Sequence, residues 1–319
     1  MITFGPVPSR RLGASLGINN IPAKHCSYSC VYCQVGLTPA TEIERKAFYP
    51  PEEIFQKVKE RVESLTAAKE RIDYLSFVPD GEPTLDLNLG REIRLVRKLN
   101  IPVAVITNGS LLWREDVRQE LNAADWVSVK VGSASERQWK KIHRPDPGLD
   151  WEKVLQGISL FASQYQGQLV TETLLLKDIN DSSSSLTKIA RFIRKISPAK
   201  AYLGVPTRPP AEPWVKPSPP AKINLAYQIF TEEGLPVELM VFQNPSSFGF
   251  SGDARADLLA ITAVHPMDQQ QVAEFLQKAK ADSSVVEKLV SSGLVRWVNY
   301  RNRRFLVRWS EPEKERKNG

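Results

Sequence analysis

The stretch Cys26-Ser27-Tyr28-Ser29-Cys30-Val31-Tyr32-Cys33 contains every cysteine of the 319-residue chain. An odd number of cysteines this close together cannot form a disulfide framework. Thiolates are the usual ligands of iron–sulfur clusters, normally one per iron, so three of them leave a fourth iron open. An open coordination site is what a metal centre needs in order to bind a substrate. The spacing therefore predicts a four-iron cluster held by Cys26, Cys30 and Cys33.

Two other interpretations of these cysteines are open. His25 could complete a structural zinc site, although adjacent residues rarely chelate one ion and the spacing differs from the C-x-x-C pairs of such sites. The thiols could also be free cysteines of a hydrophobic core. The cluster is favoured over both, because such clustering of soft ligands needs a chemical cause.

Outward from this loop, short β-branched runs alternate with amphipathic stretches of helical period. Such alternation predicts a parallel sheet with right-handed crossovers. Six strand–helix units fit an open, partial (β/α)6 barrel better than a closed eight-fold one. We assign this α/β barrel to residues 1–250, with a further strand at 236–242 on its open side. The other predicted strands are 12–20, 73–79, 102–107, 126–131, 168–176 and 201–205, and the helices lie near 51–68, 89–99, 114–123, 135–142, 151–165, 183–196 and 221–233.

Alternation within one strand identifies a candidate catalytic lysine. In residues 126–131, Trp-Val-Ser-Val-Lys-Val, the valines occupy one face and Ser128 and Lys130 the other. Valines are expected to meet the outer helices, so Lys130 is expected to face the barrel interior. Lys130 is either an acid–base or Schiff-base lysine or the partner of a barrel carboxylate. In the strand 168–176, Gln168 and Glu172 share one face and Thr171 and Thr173 the other, and the pattern leaves open which face points inward.

Residues 251–319 have a different pattern of predicted helices and strands and are predicted to form a second domain. Short helices near 256–264, 268–280 and 282–291 precede two strands, 294–300 and 304–309, that flank a turn at 301–303. Three helices followed by a hairpin are typical of a winged helix-turn-helix domain, in which the hairpin is the wing. Residues 244–252 are expected to be the linker, and the charged tail from Glu311 is expected to fray.

The hairpin interleaves arginines with aromatic side chains and carries no acidic residue from 294 to 309. Arginines that pair phosphates beside aromatics that stack bases are typical of RNA or single-strand recognition. The net charge of +7 agrees with an anionic partner. The competing interpretation is that the aromatics form the core face of the hairpin. The candidate nucleic-acid residues are Arg296, Arg301, Arg303 and Arg304.

At this point a family resemblance becomes specific. The C-x3-C-x2-C loop, with Tyr32 just before its third cysteine, resembles the signature of the radical S-adenosylmethionine (SAM) superfamily. Asp80-Gly81-Glu82-Pro83 resembles that family's motif for the SAM amine, and Thr107-Asn108 a contact on the ribose side. Two further segments, 5–13 and 142–145, resemble a subgroup close to the tRNA wybutosine-synthesising enzymes. The resemblance covers about residues 1–210.

The resemblance implies a [4Fe–4S] cluster on the three cysteines and SAM on its open iron. Glu82 and the backbone around Gly81 would then anchor the SAM ammonium. Tyr32 would lie near the adenine and Asn108 near the ribose. A low-potential flavodoxin or ferredoxin would reduce the cluster, and cleavage of SAM would supply a 5′-deoxyadenosyl radical that abstracts hydrogen from a substrate.

Each of these motifs also has a plainer interpretation. Asp-Gly-Glu-Pro is a common turn with a helix start, and Asn-Gly is among the commonest turn dipeptides. Arg10 and Arg11 are either a solvated pair or a substrate clamp. For His143 a surface position is the default and a catalytic role is the alternative.

The subgroup resemblance fails at one point. The archaeal wybutosine-type enzymes bind a second cluster through further cysteines, which this chain does not have. Three functions therefore remain open: modification of RNA, favouring tRNA; modification of a protein, peptide or small metabolite, with the C-terminal domain recruiting a partner or forming a dimer; and a transcriptional regulator that senses redox state or SAM. The absence of a long apolar run and of a signal-peptide pattern leads us to expect a cytoplasmic protein that is not in the membrane.

Overall fold

The computed structural model describes residues 1–240 and 248–309. Its main sheet has eight strands that neighbour one another in chain order. The first two form an antiparallel hairpin, β1 (Thr3–Ser9) and β2 (Gly13–Ile18), and every later strand is parallel to the one before it. These strands are β3 (Tyr74–Phe77), β4 (Val103–Thr107), β5 (Trp126–Lys130), β6 (Gln168–Leu174), β7 (Lys200–Gly204) and β8 (Val237–Met240).

Helices occupy all six crossovers between the parallel strands, which confirms the prediction of an open barrel of six strand–helix units. The large core lies between the sheet and these helices, and it includes Val127 and Val129 from β5. The helices are α1 (Pro51–Ala67), α2 (Leu89–Val96), α3 (Glu115–Leu121), α4 (Glu136–His143), α5 (Trp151–Gln164), α6 (Ser183–Ile196) and α7 (Pro220–Glu232). No helix among the described residues is both long and apolar enough to cross a membrane.

The strand β1 was missed by the sequence prediction. Its residues, Thr-Phe-Gly-Pro-Val-Pro-Ser, include one glycine and two prolines, which argue against a strand because proline cannot donate to a sheet ladder. At the edge of a sheet that loss is tolerated, and the β1–β2 ladder is irregular between Phe4 and Val7. The strand predicted at 236–242 is found as far as Met240, and its last two residues lie outside the described part.

The inward face of β5 is as predicted. Trp126 packs inside the barrel against Leu12 and Tyr202, and Lys130 lies on the wall of the central cavity. On β6 the inward face, left open by the sequence, is the one that carries Glu172. The two strands are in register at Lys130 and Glu172, which places these side chains next to each other.

The C-terminal unit contains the three predicted helices and the hairpin. A two-residue strand, too short to leave a periodic pattern, joins the hairpin to make a three-stranded antiparallel sheet. The hairpin turn is Arg301-Asn302, both in the left-handed region, so the second strand begins at Arg303. The elements are α8 (Ala254–Val264), β9 (Met267–Asp268), α9 (Gln269–Ala279), α10 (Ser284–Ser291), β10 (Val295–Tyr300) and β11 (Arg303–Arg308). Residues 244–247 of the predicted linker, and the charged tail, lie outside the described residues.

The hydrophobic core of the C-terminal unit extends beyond its own helices. Phe4 and Val7 of β1, together with Phe248, belong to this core. The ring of Phe4 also covers Gly17 of β2, where an added Cβ would lie 2.0 Å from the ring. The edge hairpin of the barrel therefore contributes side chains to the cores of both predicted domains. The domain boundary at residue 250 stays a prediction.

We expect Phe4→Ala to loosen the C-terminal unit selectively. Removing a buried phenylalanine costs about 3–5 kcal/mol of folding free energy, and Phe4, only 4% exposed, contributes to the smaller of the two large cores. Limited proteolysis should then cut the C-terminal unit faster than the barrel. The control is Leu160→Ala on α5, where the side chain is 47% exposed. Equal protection of the C-terminal unit in both variants would contradict the shared core.

Candidate active site

A cavity of about 410 Å³ opens inside the half-barrel, which is within the size range of pockets for small ligands and cofactors. Its walls are formed by loops at the carboxyl ends of the strands, the inward faces of β5 and β6, the β1–β2 turn and part of the C-terminal region. It brings together the predicted cluster, cofactor and catalytic residues Cys26, Tyr32, Cys30, Cys33, Asp80, Gly81, Glu82, Thr107, Asn108 and Lys130. Pro83 is the exception, because it is buried behind this wall and begins a short 3-10 helix.

Main-chain hydrogen bonds fasten the cysteine loop to the Asp80–Glu82 loop. The amide of Lys24 donates to the carbonyl of Asp80 (2.7 Å), and the amide of Glu82 donates to the carbonyl of His25 (2.9 Å). At Gly81 an added Cβ would lie 2.0 Å from the His25 carbonyl oxygen. Only glycine allows this approach, so the Gly in the motif positions the cysteine loop.

The same loop is held from its other side by the end of α4. The amides of Ser29 and Val31 donate to the carbonyls of His143 and Ile142, at 3.0 and 2.9 Å. Within the loop, the amide of Cys33 donates to the carbonyl of Cys30 (3.0 Å). The cysteine loop is thus fixed between two barrel segments before any ligand is considered.

The three thiols fit an iron–sulfur cluster by their chemistry. All three are free, and burial raises the pKa of each of them. At Cys30 the neighbouring Cys26 and Cys33 raise the pKa further, because three adjacent thiolates repel one another. Ionised thiolates at this position need a compensating cation, which the irons of a cluster would provide.

The zinc interpretation would place all ligands around a single ion. Within the described residues, no group of three or more His, Cys, Asp and Glu side chains is arranged to hold one metal ion. His25 instead pairs its Nδ1 with the carboxylate of Glu42. A four-iron cluster makes a different demand, since each thiolate binds its own iron.

Glu82 joins the loops that follow β3 and β4. Its Oε1 accepts hydrogen bonds from the hydroxyls of Thr84 and Thr107, both at 2.6 Å, and from the Thr84 amide at 3.2 Å. Its Oε2 accepts one bond, from the amide of Asn108 at 2.7 Å. A carboxylate has about four acceptor sites, so the capacity left for a ligand ammonium is on Oε2.

Asn108 has contacts that the sequence did not suggest. Its Nδ2 donates to the hydroxyl of Ser27 (2.9 Å) and lies 3.7 Å from the Cys26 sulfur. Its Oδ1 accepts from the amide of Ser110 as in an ordinary Asx turn (2.8 Å). The Asn-Gly dipeptide therefore forms a turn and also places an amide donor beside a cluster ligand. The ribose contact of Asn108 stays a prediction.

His143 is buried, so the default of a surface position was wrong. It is 4% exposed, and its Nδ1 lies 3.3 Å from the Cys30 sulfur and 3.4 Å from the Tyr32 hydroxyl. Burial, with Lys130 nearby, lowers its pKa to about 3, so the ring is neutral. The signal in the sequence was the spacing to Trp139, four residues earlier on the same buried helix face.

Lys130 forms the carboxylate pair that was one of its two interpretations. Its Nζ lies 2.7 Å from Oε2 of Glu172, which also binds the guanidinium of Arg11. Burial opposes ionisation of Glu172, but the two cations outweigh it and hold its pKa at about 2. A catalytic role for Lys130 stays a hypothesis.

Several cavity residues were not identified from the sequence. Arg208 comes from the proline-rich connector after β7, whose sequence has no periodic pattern that would indicate a functional residue. His265 and Gln271 come from the C-terminal unit. Arg10 and Arg11 also line the cavity, which favours the clamp interpretation over a fully solvated pair. Their convergence depends on tertiary contacts that no short motif encodes.

The hairpin arginines do not line this cavity and are exposed. Arg296 stacks over Trp309 at 3.3 Å from the ring centroid, and Arg304 lies over Trp297 at 5.0 Å. Arg303 has a carboxylate partner, Asp268, at 3.3 Å. Phe305 is buried and Trp297 packs against the core of the C-terminal unit, so two of the four hairpin aromatics, Trp297, Tyr300, Phe305 and Trp309, serve the core.

The comparisons with known proteins agree with this site. A family model described as the radical SAM superfamily matches residues 20–190, and the chain belongs to this superfamily. Membership implies a [4Fe–4S] cluster and SAM. The chain is 45% identical to a UPF0026 protein of Methanocaldococcus jannaschii, over 96% of both chains. It is 36% identical to a UPF0026 protein of Helicobacter pylori, over 65% of this chain and 67% of the relative.

A solved structure supports the fold. The crystal structure of a radical SAM methyltransferase from Sphaerobacter thermophilus superposes with a TM-score of 0.55 at 15% identity, over 72% of this chain and 67% of that one. At this identity the likeness concerns the fold alone. The resemblance to the wybutosine-synthesising subgroup stays a prediction.

We expect Gly81→Ala to displace the cysteine loop and to reduce cluster content. The new Cβ would overlap the His25 carbonyl oxygen, and backbone cannot move aside as a flexible side chain can. Iron and acid-labile sulfide per chain should fall several-fold after anaerobic reconstitution. The control is Gly132→Ala, where the added Cβ meets only His143 Nε2 at 3.7 Å. Equal iron content in the two variants would contradict the positioning role of Gly81.

Proposed function

We propose that this protein binds a [4Fe–4S] cluster through Cys26, Cys30 and Cys33 and reductively cleaves SAM in the barrel cavity to start radical chemistry on a substrate. The observation that carries the proposal is the set of backbone hydrogen bonds between the cysteine loop and the Asp80–Glu82 loop. These bonds bring a three-thiol site and a carboxylate to one cavity wall. The cluster and SAM together supply a 5′-deoxyadenosyl radical when bound. The cavity wall limits the access of water to this chemistry.

The residues of this chain have distinct tasks in that proposal. Glu82 offers its Oε2 to the SAM ammonium, and Lys24 holds Asp80 through an ion pair at 3.3 Å. Asn108 donates toward the Cys26 sulfur, and hydrogen bonds to cluster sulfurs shift reduction potentials. Tyr32 places its ring beside His143 on the same wall, where we assign it to the adenine.

The proposal also requires a partner and a compartment. A flavodoxin or ferredoxin would supply the low-potential electron. Reduced thiols and such a donor suit the cytoplasm, where thiols stay reduced. The chemistry of the wybutosine-type enzymes that depends on a second cluster is not proposed, because the chain has no further cysteines.

We expect the anaerobically reconstituted protein to hold about four irons per chain. Replacing any one of Cys26, Cys30 or Cys33 by Ala should abolish the formation of 5′-deoxyadenosine from SAM with dithionite as reductant. The measurement is chromatography of the nucleoside products beside iron analysis. Ser159→Ala, on the exposed face of α5, serves as the control and should retain both. Stoichiometric zinc in protein never exposed to oxygen would overturn the cluster.

For the substrate, we propose tRNA, with the C-terminal unit acting as a winged helix that binds it. The support is the exposed arginines of the hairpin with partly buried tryptophans beneath two of them. Guanidinium groups stacked on aromatic rings stay fully charged and keep their donors free for phosphate. The helix α10 carries Glu287 and Lys288 and has no basic excess, so we assign the contact to the hairpin.

A second candidate is modification of a protein, peptide or small metabolite, with the C-terminal unit as a partner-binding or dimerisation module. The packing of this unit on β1 and its contribution to the cavity wall favour such a structural role. The third candidate is a regulator in which the cluster is only a switch. Abundant 5′-deoxyadenosine without turnover of any substrate would support the regulator.

We expect the double replacement Arg301→Gln and Arg304→Gln to weaken tRNA binding and to reduce its salt dependence. Each phosphate contact contributes about 0.7–0.9 to the log–log slope, so the slope should fall by about 1.4–1.8. Binding is measured by filter retention across a salt series. As a control, Arg191→Gln with Arg194→Gln removes two exposed charges from α6. If the two double variants bind alike, the hairpin should be assigned to protein contacts.

A further inference from the structure

Cationic side chains from separate parts of the chain converge on the cavity. Arg10 and Arg11 lie in the turn between β1 and β2, Lys130 ends β5, and Arg208 follows β7 in the proline-rich connector. Of these, Lys130 and Arg11 share the carboxylate of Glu172. The single carboxylate of Glu172 therefore compensates two positive charges.

The other two carboxylates that line the cavity are already engaged. Asp80 pairs with Lys24, and the oxygens of Glu82 accept hydrogen bonds from Thr84, Thr107 and Asn108. These groups lie on the loops after β3 and β4 and belong to the wall that carries the cysteine loop. Among the described residues, Glu172 is therefore the one carboxylate that lines the arginine side of the cavity.

Arg10 and Arg208 have no ion-pair partner among the described residues, where a partner means a carboxylate oxygen within 4.0 Å. Glu238 attracts Arg10 electrostatically but pairs with Lys200, and Asp268 attracts Arg208 but pairs with Arg303. Both arginines are partly buried. A partly buried cation without a partner is costly unless something compensates it.

Arg208 is nevertheless held in one orientation by neutral groups. It donates from NH1 to Oε1 of Gln34 at 3.0 Å and from NH2 to Nε2 of His265 at 2.8 Å. Burial, and then Arg208 itself, lower the pKa of His265 well below its usual value, so this ring accepts the bond without adding charge. Because His265 belongs to the C-terminal unit, the position of Arg208 depends on both parts of the chain.

The charges also act on one another. Burial, followed by Arg11 and Arg10, lowers the pKa of Arg208 to about 10, and Asp268 offsets only part of this. The three guanidinium groups therefore act on one another in one local field. Guanidinium groups present paired donors that match carboxylate and phosphate oxygens.

We propose that Arg10 and Arg208, with Arg11 adding to the same positive field, form a binding site for an anionic group, a carboxylate or a phosphate, of the substrate that undergoes the radical reaction. The inference rests on the proposed function for what happens next, but the site itself is defined by the arginines. It adds to the cavity a polar anchor that is separate from the Asp80–Glu82 and Asn108 side. His265 and Gln34 are positioning residues for Arg208.

Anion binding to the reconstituted, SAM-saturated protein tests the proposal. Inorganic phosphate and acetate are titrated by calorimetry at low ionic strength. Arg208→Gln and Arg10→Gln should each weaken the tighter-binding anion about tenfold or more, as expected for the loss of a charge-assisted contact. Arg208→Lys should recover part of this loss, because it keeps the charge and loses the paired donors. Arg137→Gln, exposed on α4, removes the same charge elsewhere and should change nothing.

Saturation with SAM separates the two anionic ligands that could use these arginines. Phosphate binding that persists with SAM bound supports a substrate site, whereas binding that SAM abolishes assigns the arginines to the SAM carboxylate and overturns the proposal. Binding of neither anion to the wild type, or equal binding after Arg208→Gln, also overturns it. Tighter binding of phosphate than of acetate indicates a phosphate ester as the source, and the reverse indicates a carboxylic acid.

The proposed function fails by a different readout. If the wild type forms no 5′-deoxyadenosine from SAM and dithionite, the radical chemistry is wrong whether or not anions bind. If it forms this product but shows no arginine-dependent anion binding, only the substrate site is wrong. Modification of Arg10 and Arg208 by phenylglyoxal, mapped by mass spectrometry, gives a second measurement, since phosphate should protect both residues in the wild type.

Discussion

The hydrogen bonds between the backbones of the cysteine loop and the Asp80–Glu82 loop are the interaction on which the candidate site depends. They require the carbonyl of His25 to occupy the space that a side chain at position 81 would fill. Through Glu82 the same contact continues to Thr107 and Asn108 at the end of the next strand. Asn108 then returns to Ser27 and Cys26. Three loops are thus linked in a closed set of hydrogen bonds around the thiols.

The two carboxylates Glu82 and Glu172 in the barrel interior have opposite electrostatic surroundings. Around Glu82 every donor is neutral and the carboxylate is enclosed, whereas around Glu172 two cations compete for one carboxylate. The first arrangement holds a geometry. The second leaves positive charge facing the cavity, which is what a site for an anionic ligand needs. A single cavity can therefore distinguish a cationic group from an anionic one at different positions along its wall.

The C-terminal unit contributes residues to the candidate site. Phe4 and Val7 of the edge strand enter its core, and His265 holds an arginine of the cavity. The side-chain Nε2 of Gln34, next to Cys33, donates to the carbonyl of Val264 at 2.7 Å. The hairpin is therefore connected, through α8 and the segment that follows it, to the region beside the cysteine loop.

The sequence by itself determined the six strand–helix units and the inward position of Lys130, and it predicted the three cysteines as cluster ligands, because these depend on local spacing and period, which a single segment expresses. It also indicated Glu82 and Asn108 as candidate cofactor-binding residues, since their motifs follow predicted strands. Only the tertiary structure decided that His143 is buried against Cys30, that β1 exists, and that Arg208 and His265 meet at the cavity. These outcomes depend on contacts between segments far apart in the chain, such as the 230 residues between Gln34 and Val264, and no local pattern records the packing that brings such segments together.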